Sequence, residues 1–313
     1  MHVLQYAFIS IYNIYINFSK KAYAMDINLF LRETRYYIDK KLHEHIMIHD
    51  AKLSTLYASI HYTLHAGGKR IRPIFCFAVG EMFDISREKL TNLACALEMI
   101  HTASLIMDDL PYMDDGTMRR GKLANHLMYG QDVAVLASLG LLCRAYEVVV
   151  NDRTLPDDTK TKVVATLLQT VGLAGMVGGQ FVDRTVLETP MSLPLLAYIQ
   201  AHKTAALFVA SGEAPAIIGG ASAHEIDAIK TFSSNVGYAF QIADDLLDVT
   251  GVVRETGKSL QKDRSNSVTF FGIEGAKKRV EHHIEQAFEA LKAFEGKNAK
   301  LLALSNLLLQ RST

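Results

Sequence analysis

The chain is predicted to be all-α: a single-domain bundle of about ten or more helices around a central apolar cavity. Three observations predict it. Apolar residues recur at three- and four-residue spacing through ten long segments. Only six prolines occur in 313 residues, and five of them fall between or at the edges of those segments. No alternating strand and no Asn-Gly hairpin signal interrupts the pattern.

In chain order the helical segments cover 28–47, 51–65, 71–83, 87–110, 131–151, 157–178, 194–218, 223–250, 273–294 and 298–311. Residues 87–106 illustrate the periodicity, with Leu90, Leu93, Ala94, Ala96-Leu97, Ile100 and Ala103-Ser104 on one face. The neighbourhoods of Gly67-Gly68, Pro156–Asp158, Pro190–Pro194 and Gly219-Gly220 read as connectors. Ligands of such a bundle lie between facing helices. Residues 25–313 form the domain. Residues 1–24 stand apart as an apolar, aromatic extension ending in Lys20-Lys21 and Ala22-Tyr23-Ala24. The Ala-Tyr-Ala mimics a signal-peptide cleavage site, but the basic pair follows the apolar run instead of preceding it. The run also holds Gln5, Asn13 and Asn17 and is short for a membrane span. An over-extended start or a loosely ordered arm fits it better than targeting.

A hydrophobic content of 49% over this length supports a large core. Charge is balanced, 33 basic against 33 acidic residues, so no global field recruits nucleic acid or an anionic membrane. Cys76, Cys95 and Cys143 lack metal-ligand spacing and sit in apolar contexts, which suits reduced core thiols of a cytoplasmic protein.

The chemistry resides in two acidic clusters. Asp108-Asp109 precede Pro111 and Asp114-Asp115, and Arg119-Arg120-Gly121 follow. Asp244-Asp245 and Asp248 share one helix face, and Lys258 follows them. Carboxylates so placed repel one another, and the first pair sits at the unfavourable end of a helix dipole, so both clusters call for cations. An all-oxygen set without Cys or His suits Mg²⁺ shared with substrate phosphates. Gly67-Gly68-Lys69-Arg70-Ile71-Arg72 offers a close backbone approach and three cations, enough for a diphosphate clamp. Lys203-Thr204 interrupts an apolar helix, where a lysine either snorkels to solvent or donates to phosphate. His101 lies about two turns before Asp108 on nearly the same face. Gln180 and Gln241, the latter after Phe240, need polar partners inside apolar helices. No Walker loop, GxGxxG or nucleophile triad accompanies them. These features describe an apolar chain carrying a diphosphate, and metal-assisted departure of that diphosphate.

From about Asp26 onward the chain resembles the trans-isoprenyl diphosphate synthases of the farnesyl/geranylgeranyl type. Carrying the resemblance are Gly67–Pro73, Glu98–Ile106, the DDx₄D with Arg-Arg-Gly, Gly178-Gly179-Gln180, His202-Lys203-Thr204 and Phe240–Asp248, in that order and spacing. It implies the isoprenoid synthase fold and a homodimer without a stable membrane span. The implied reaction is condensation of isopentenyl diphosphate with allylic diphosphates, using three Mg²⁺ ions when substrate is bound. Asp108, Asp109 and Asp114 would hold metal from one side and Asp244, backed by Asp245 and Asp248, from the other. Arg119, Lys203 and Lys258 would complete the allylic site; Lys69, Arg72, His101 and Arg120 would hold isopentenyl diphosphate. Thr204 and Gln241 would direct oxygen dipoles at the developing allylic cation.

Where the family usually has His before the first aspartate pair, this chain has Met107. The lysine usual before a Thr-aromatic pair is missing ahead of Thr269-Phe270, leaving Lys262 or Arg264 as the nearest cation. A growing tail is expected to pass Ala103 and Ser104 and then reach Met99 and Ile100, one turn deeper. Because an aromatic at position 103 would close the pocket near fifteen carbons, Ala103 favours a twenty-carbon product over a fifteen-carbon one. A terpene cyclase shares the fold but has no need of the second clamp at 67–72. A non-catalytic synthase subunit would be expected to lose aspartates that are intact here.

Overall fold

A computed structural model describes residues 27–47, 50–185, 191–250 and 266–310. The extension at 1–24 and Lys258, Lys262 and Arg264 lie outside these residues. Among the described residues thirteen α-helices follow one another: α1 (Ile27–His45), α2 (Ser54–Leu64, entered through a short 3₁₀ turn), α3 (Ile71–Met82), α4 (Arg87–Asp108), α5 (Asn125–Tyr129), α6 (Gln131–Val150), α7 (Asp157–Val171), α8 (Met176–Thr185), α9 (Leu193–Ile199), α10 (Ala206–Ile218), α11 (Ala223–Thr250), α12 (Ser267–Ala290) and α13 (Ala299–Gln310). The all-α expectation holds.

Helix α4 is the central strut. Ser86 precedes it without a side-chain capping bond, so packing and not capping holds it. Leu90, Leu93, Ala94, Leu97 and Ile100 are at most 1% exposed, which gives this helix an almost fully buried face. Truncating one of them, Leu97→Ala for instance, should cost about 2–5 kcal/mol. α4 packs against α6 on one side and α3 on another, while α11 packs against α10 and α12. Phe75 of α3 stacks on Phe232 of α11 with centroids 5.6 Å apart and meets Phe208 of α10 edge-on at 6.1 Å. Phe240 lies 5.4 Å beyond Phe208, so the aromatic contacts lead from the core towards the acidic end of α11.

Local breakers redraw several expected boundaries. The segment 157–178 is two helices, α7 and α8, separated around Gly172–Gly175. Apolar periodicity continues across that gap, which hides it in the sequence. The segment 194–218 is interrupted by a π-helical turn, Gln200–Ala205, between α9 and α10. The last long helix starts at Ser267, six residues earlier than expected. Asn266 caps it by accepting the Val268 N–H, and Gly272, at φ 69°, kinks it where the pattern first becomes readable. A two-stranded ribbon, β1 (Met118–Arg119) with β2 (Lys122–Leu123), was not expected. Its turn residues Arg120 and Gly121 have φ of 54° and 75°, the geometry that usually selects Asn-Gly. α5 was not expected either. Its Asn125 is buried and tied to Ser59 and Thr63 of α2.

Cys76 and Cys95 are buried free thiols as expected, but Cys143 is exposed on α6. Among the described residues, three stretches are long and apolar enough to cross a membrane by composition: α4, α6 and Asp157–Thr185, which spans α7 and α8. Burial within the protein accounts for α4, with 72% of its window buried, but only 39% and 33% of the other two windows are covered.

Candidate active site

A cavity of about 580 Å³ opens where α4, α8, α11 and the π-helical turn converge, roofed by the loop before α3 and the β1–β2 hairpin. Asp108 and Asp114 stand on one wall, Asp244 and Asp245 on another, and Arg72, His101, Arg119, Arg120 and Lys203 between them. Ser104, Leu105, Met176, Leu207 and Phe240 add an apolar flank. Residues separated by as many as 177 positions, from Gly68 to Asp245, therefore meet in one space.

The first acidic cluster is built by the end of α4. Asp108 is its last residue, and Asp109 caps it and is 2% exposed. Arg119, carried back by the hairpin, grips Asp109 through Nη2 at 2.5 Å and Nε at 3.1 Å. Asp109 is thus neutralised within the protein and does not line the cavity, whereas Asp108 and Asp114 do. Burial raises the Asp108 carboxyl to about 6; Lys203 and Arg119 oppose the rise while Asp114 and Asp109 add to it. Asp108 is therefore a buried carboxyl whose charged form a hard divalent cation would stabilise. The donor set of Asp108, Asp114 and Asp244 fits Mg²⁺.

In the second cluster, the described donors to Asp245 are neutral groups. Asp245, 3% exposed, accepts the Ser267 backbone N–H at 2.7 Å and the Gln241 amide at 2.9 Å. Gln241 in turn accepts the Thr204 hydroxyl at 2.8 Å. A continuous relay therefore runs from the π-helical turn through α11 to the start of α12. Gln200 joins it by donating to the Ser267 hydroxyl at 2.6 Å. Asp244 faces the cavity, Asp245 anchors α12, and Asp248 does not line the described cavity.

The cations divide by position. Arg70, part of the expected clamp, is instead a structural residue. It is 2% exposed, with bonds of 2.7 Å to both Glu98 and Asp39 and 2.6 Å to the Leu64 carbonyl. This network holds it at φ 51°, unusual for a side chain of its size. Arg72 is the opposite case. Its Nε is buried without a hydrogen-bond partner among the described residues, and its guanidinium sits over the Phe208 ring at 5.1 Å. Burial lowers it to about 10. Burial, with Arg72, Arg120 and Arg119 nearby, holds His101 well below the usual imidazole range. Lys69 is exposed at the rim. Arg120 donates to the Gly67 carbonyl. A Cβ on Gly68 would meet the Arg120 guanidinium at 2.7 Å, and at φ +134° that position suits only glycine. The result is a cationic roof suited to an anionic ligand.

Lys203 projects from the π-helical turn to Asp183 at 2.6 Å. Burial works against its charge, but Asp183, Asp108 and Asp114 outweigh it and raise its pKa. The turn lies so close to α8 that a Cβ on Gly179 would reach the Lys203 nitrogen at 2.5 Å, which explains the glycine there. Gln180, unlike Gln241, has neither amide atom hydrogen-bonded among the described residues.

Of the proposed chain-length residues, Ser104 lines the cavity. Ala103, Met99 and Ile100 are at most 4% exposed and pack into the core behind it. The Ala103 carbonyl accepts the Ser138 hydroxyl of α6 at 2.8 Å. The sequence reading missed Glu98, Gln200 and the partnership of Asp183 with Lys203. A glutamate in the middle of the apolar run 93–100 was the available signal for a buried cation partner.

Comparison with known proteins accords with this geometry. The polyprenyl synthetase family model matches residues 53–306. The chain is 40% identical over 263 residues to the geranylgeranyl diphosphate synthase of Cyanophora paradoxa, covering 82% of this chain and 88% of that one. It is 35% identical to the farnesyl diphosphate synthase of Geobacillus stearothermophilus, covering 92% and 98%. Among solved structures, an FPP/GFPP synthase from Zymomonas mobilis superposes with a TM-score of 0.84 at 29% identity, over 91% of this chain and 99% of that one. With its paired acidic walls, cationic roof and all-helical frame, the chain belongs to the polyprenyl synthetase family.

Proposed function

We propose that the protein is a short-chain trans-prenyltransferase that condenses isopentenyl diphosphate with dimethylallyl, geranyl or farnesyl diphosphate to give farnesyl and geranylgeranyl diphosphate, chiefly the latter. The observation that carries this reading is a single cavity with two acidic walls, an Arg72 Nε buried without a hydrogen-bond partner among the described residues, and an apolar flank. The relatives named as geranylgeranyl and farnesyl diphosphate synthases support it.

Asp108, Asp114 and Asp244 would hold Mg²⁺, with Asp109 and Asp245 fixing the ends of the two walls. Bound Mg²⁺ supplies charge neutralisation for the departing diphosphate. Lys203 and Arg119 face the same diphosphate, and Arg72, Arg120, His101 and Lys69 bind the second one. The allylic C–O bond breaks with its electron pair leaving on the diphosphate. The double bond of isopentenyl diphosphate attacks the resulting cation, and the released diphosphate takes the proton that restores an alkene. Thr204 donates its proton to Gln241, which leaves hydroxyl lone pairs available to the cation; Phe240 lends its ring face. Water is kept out by Leu105, Met176 and Leu207.

A homodimer in the cytoplasm is part of this reading; Leu136 and Leu139 on α6 are exposed apolar residues of the kind such an interface covers. Incubation with isopentenyl diphosphate, each allylic primer and Mg²⁺, read by mass spectrometry, tests the proposal. Geranylgeranyl diphosphate is expected from wild type, and shorter products from Ala103→Phe and Ser104→Phe, since overfilling a packed wall is costly. No condensation with any primer would overturn the function, and unchanged products from both variants would overturn the chain-length assignment.

A further inference from the structure

We propose that His43, His61 and His65 form a binding site for a transition-metal dication of the zinc type, separate from the diphosphate cavity. His61 lies in the last turn of α2 and His65 is the residue that caps its C-terminal end, four positions on, a spacing that brings the two imidazoles to one side. His43 comes from the last turn of α1. One ligand atom from each residue lies within 4.8 Å of the others. The ring centroids are 5.3 Å apart for His43–His61 and for the stacked pair His61–His65, and 5.9 Å apart for His43–His65.

Two details point to a ligand and away from simple ring packing. His61 Nε2 lies 2.6 Å from the Ile46 carbonyl. A proton on Nε2 donated there leaves Nδ1 with a lone pair, the arrangement by which a carbonyl orients a metal-ligating imidazole. His65 Nε2 is buried with no hydrogen-bond partner among the described residues, an expensive condition that a coordinated ion removes.

Three imidazoles select zinc, cobalt, nickel or copper over the Mg²⁺ of the carboxylate walls. A four-coordinate ion with bonds of about 2.0–2.1 Å needs its donors closer than they stand here. His43 is exposed and can swing inward to close the set, with water completing it. The ion would tie the end of α1 to the end of α2, two residues ahead of Gly67 and the loop that carries Lys69 and Arg72.

The test uses the untagged full chain, stripped of metal and then saturated with Mg²⁺ so that the carboxylate sites are filled. Titration with Co²⁺ should give one equivalent with the intense visible bands of a low-coordinate nitrogen site. Zn²⁺ should displace it and raise the melting temperature by several degrees. His61→Ala/His65→Ala should abolish the signal. His43→Ala, at an exposed position, should weaken binding by at least about tenfold, the loss typical even of an outer-sphere partner. Asp108→Ala/Asp244→Ala should leave the signal intact. Absence of the bands in the Mg²⁺-saturated chain, or bands that survive His43→Ala unchanged, would overturn the proposal; should the double variant not fold, His43→Ala decides alone.

Discussion

Asp109 at the end of α4 is buried against the full positive charge of Arg119, whereas the described hydrogen-bond donors to Asp245 on α11 are dipoles. The sequence spells the two clusters almost alike, yet their partners among the described residues differ in kind. Arg119 neutralises Asp109 through a forked contact, and Lys203 faces Asp108 from across the cavity. Asp245 is satisfied by an amide, a backbone N–H and, through Gln241, a hydroxyl. A charge-held wall resists displacement but fails badly when one partner is lost. A dipole-held wall degrades in steps, because each of its bonds contributes only ~1 kcal/mol. The first wall is therefore suited to act as a fixed floor and the second as the adjustable side of the cavity.

The largest expected effect lies on the residues the two walls share in role. Asp108→Ala and Asp244→Ala should each lower turnover by several orders of magnitude with little change in folding, since lost charge stabilisation costs several kcal/mol and each ~1.4 kcal/mol is tenfold. A folded Asp244→Ala enzyme of near-normal rate would leave only one working wall. Next in size is Arg119→Ala, which strands the buried Asp109 and should reduce unfolding stability by about 3–5 kcal/mol in urea titrations. Asp245→Asn turns one acceptor into a donor facing the Ser267 or Gln241 N–H; a loss of about 1–3 kcal/mol is expected from the same measurement. If Asp245→Asn proved the more destabilising of the two, the contrast drawn here would be reversed. Thr204→Val, which removes only the outermost bond of the relay, should cost about 1 kcal/mol. A loss as large as that of Asp245→Asn would mean that the relay breaks as a unit and not in steps.

The division between what was readable and what was not follows from distance along the chain. Helix periodicity exposed the fold, and Asp108, Asp244, Arg72 and Lys203 were found because charge inside an apolar pattern is conspicuous. Partners were not readable. Nothing local separates Arg70 from Arg72, yet Glu98, 28 residues away, fixes one as structure and leaves the other facing the cavity. Asp109 and Asp245 look equivalent to their neighbours until Arg119 and Ser267 are placed against them. The hairpin at Arg120-Gly121 escaped because arginine seldom takes the left-handed conformation, and here its bond to the Gly67 carbonyl helps to hold it.

The π-helical turn at Gln200–Ala205 has a consequence for how this protein can change over generations. Such a turn is an α-helix with one residue too many, so a single-codon deletion within it would restore regular i→i−4 bonding and improve the helix. It would also rotate everything on one side by about 100° and carry Lys203 and Thr204 away from Asp183 and Gln241. Selection for stability alone would discard the extra residue. Keeping it trades the quality of that helix for the position of the two side chains it bears.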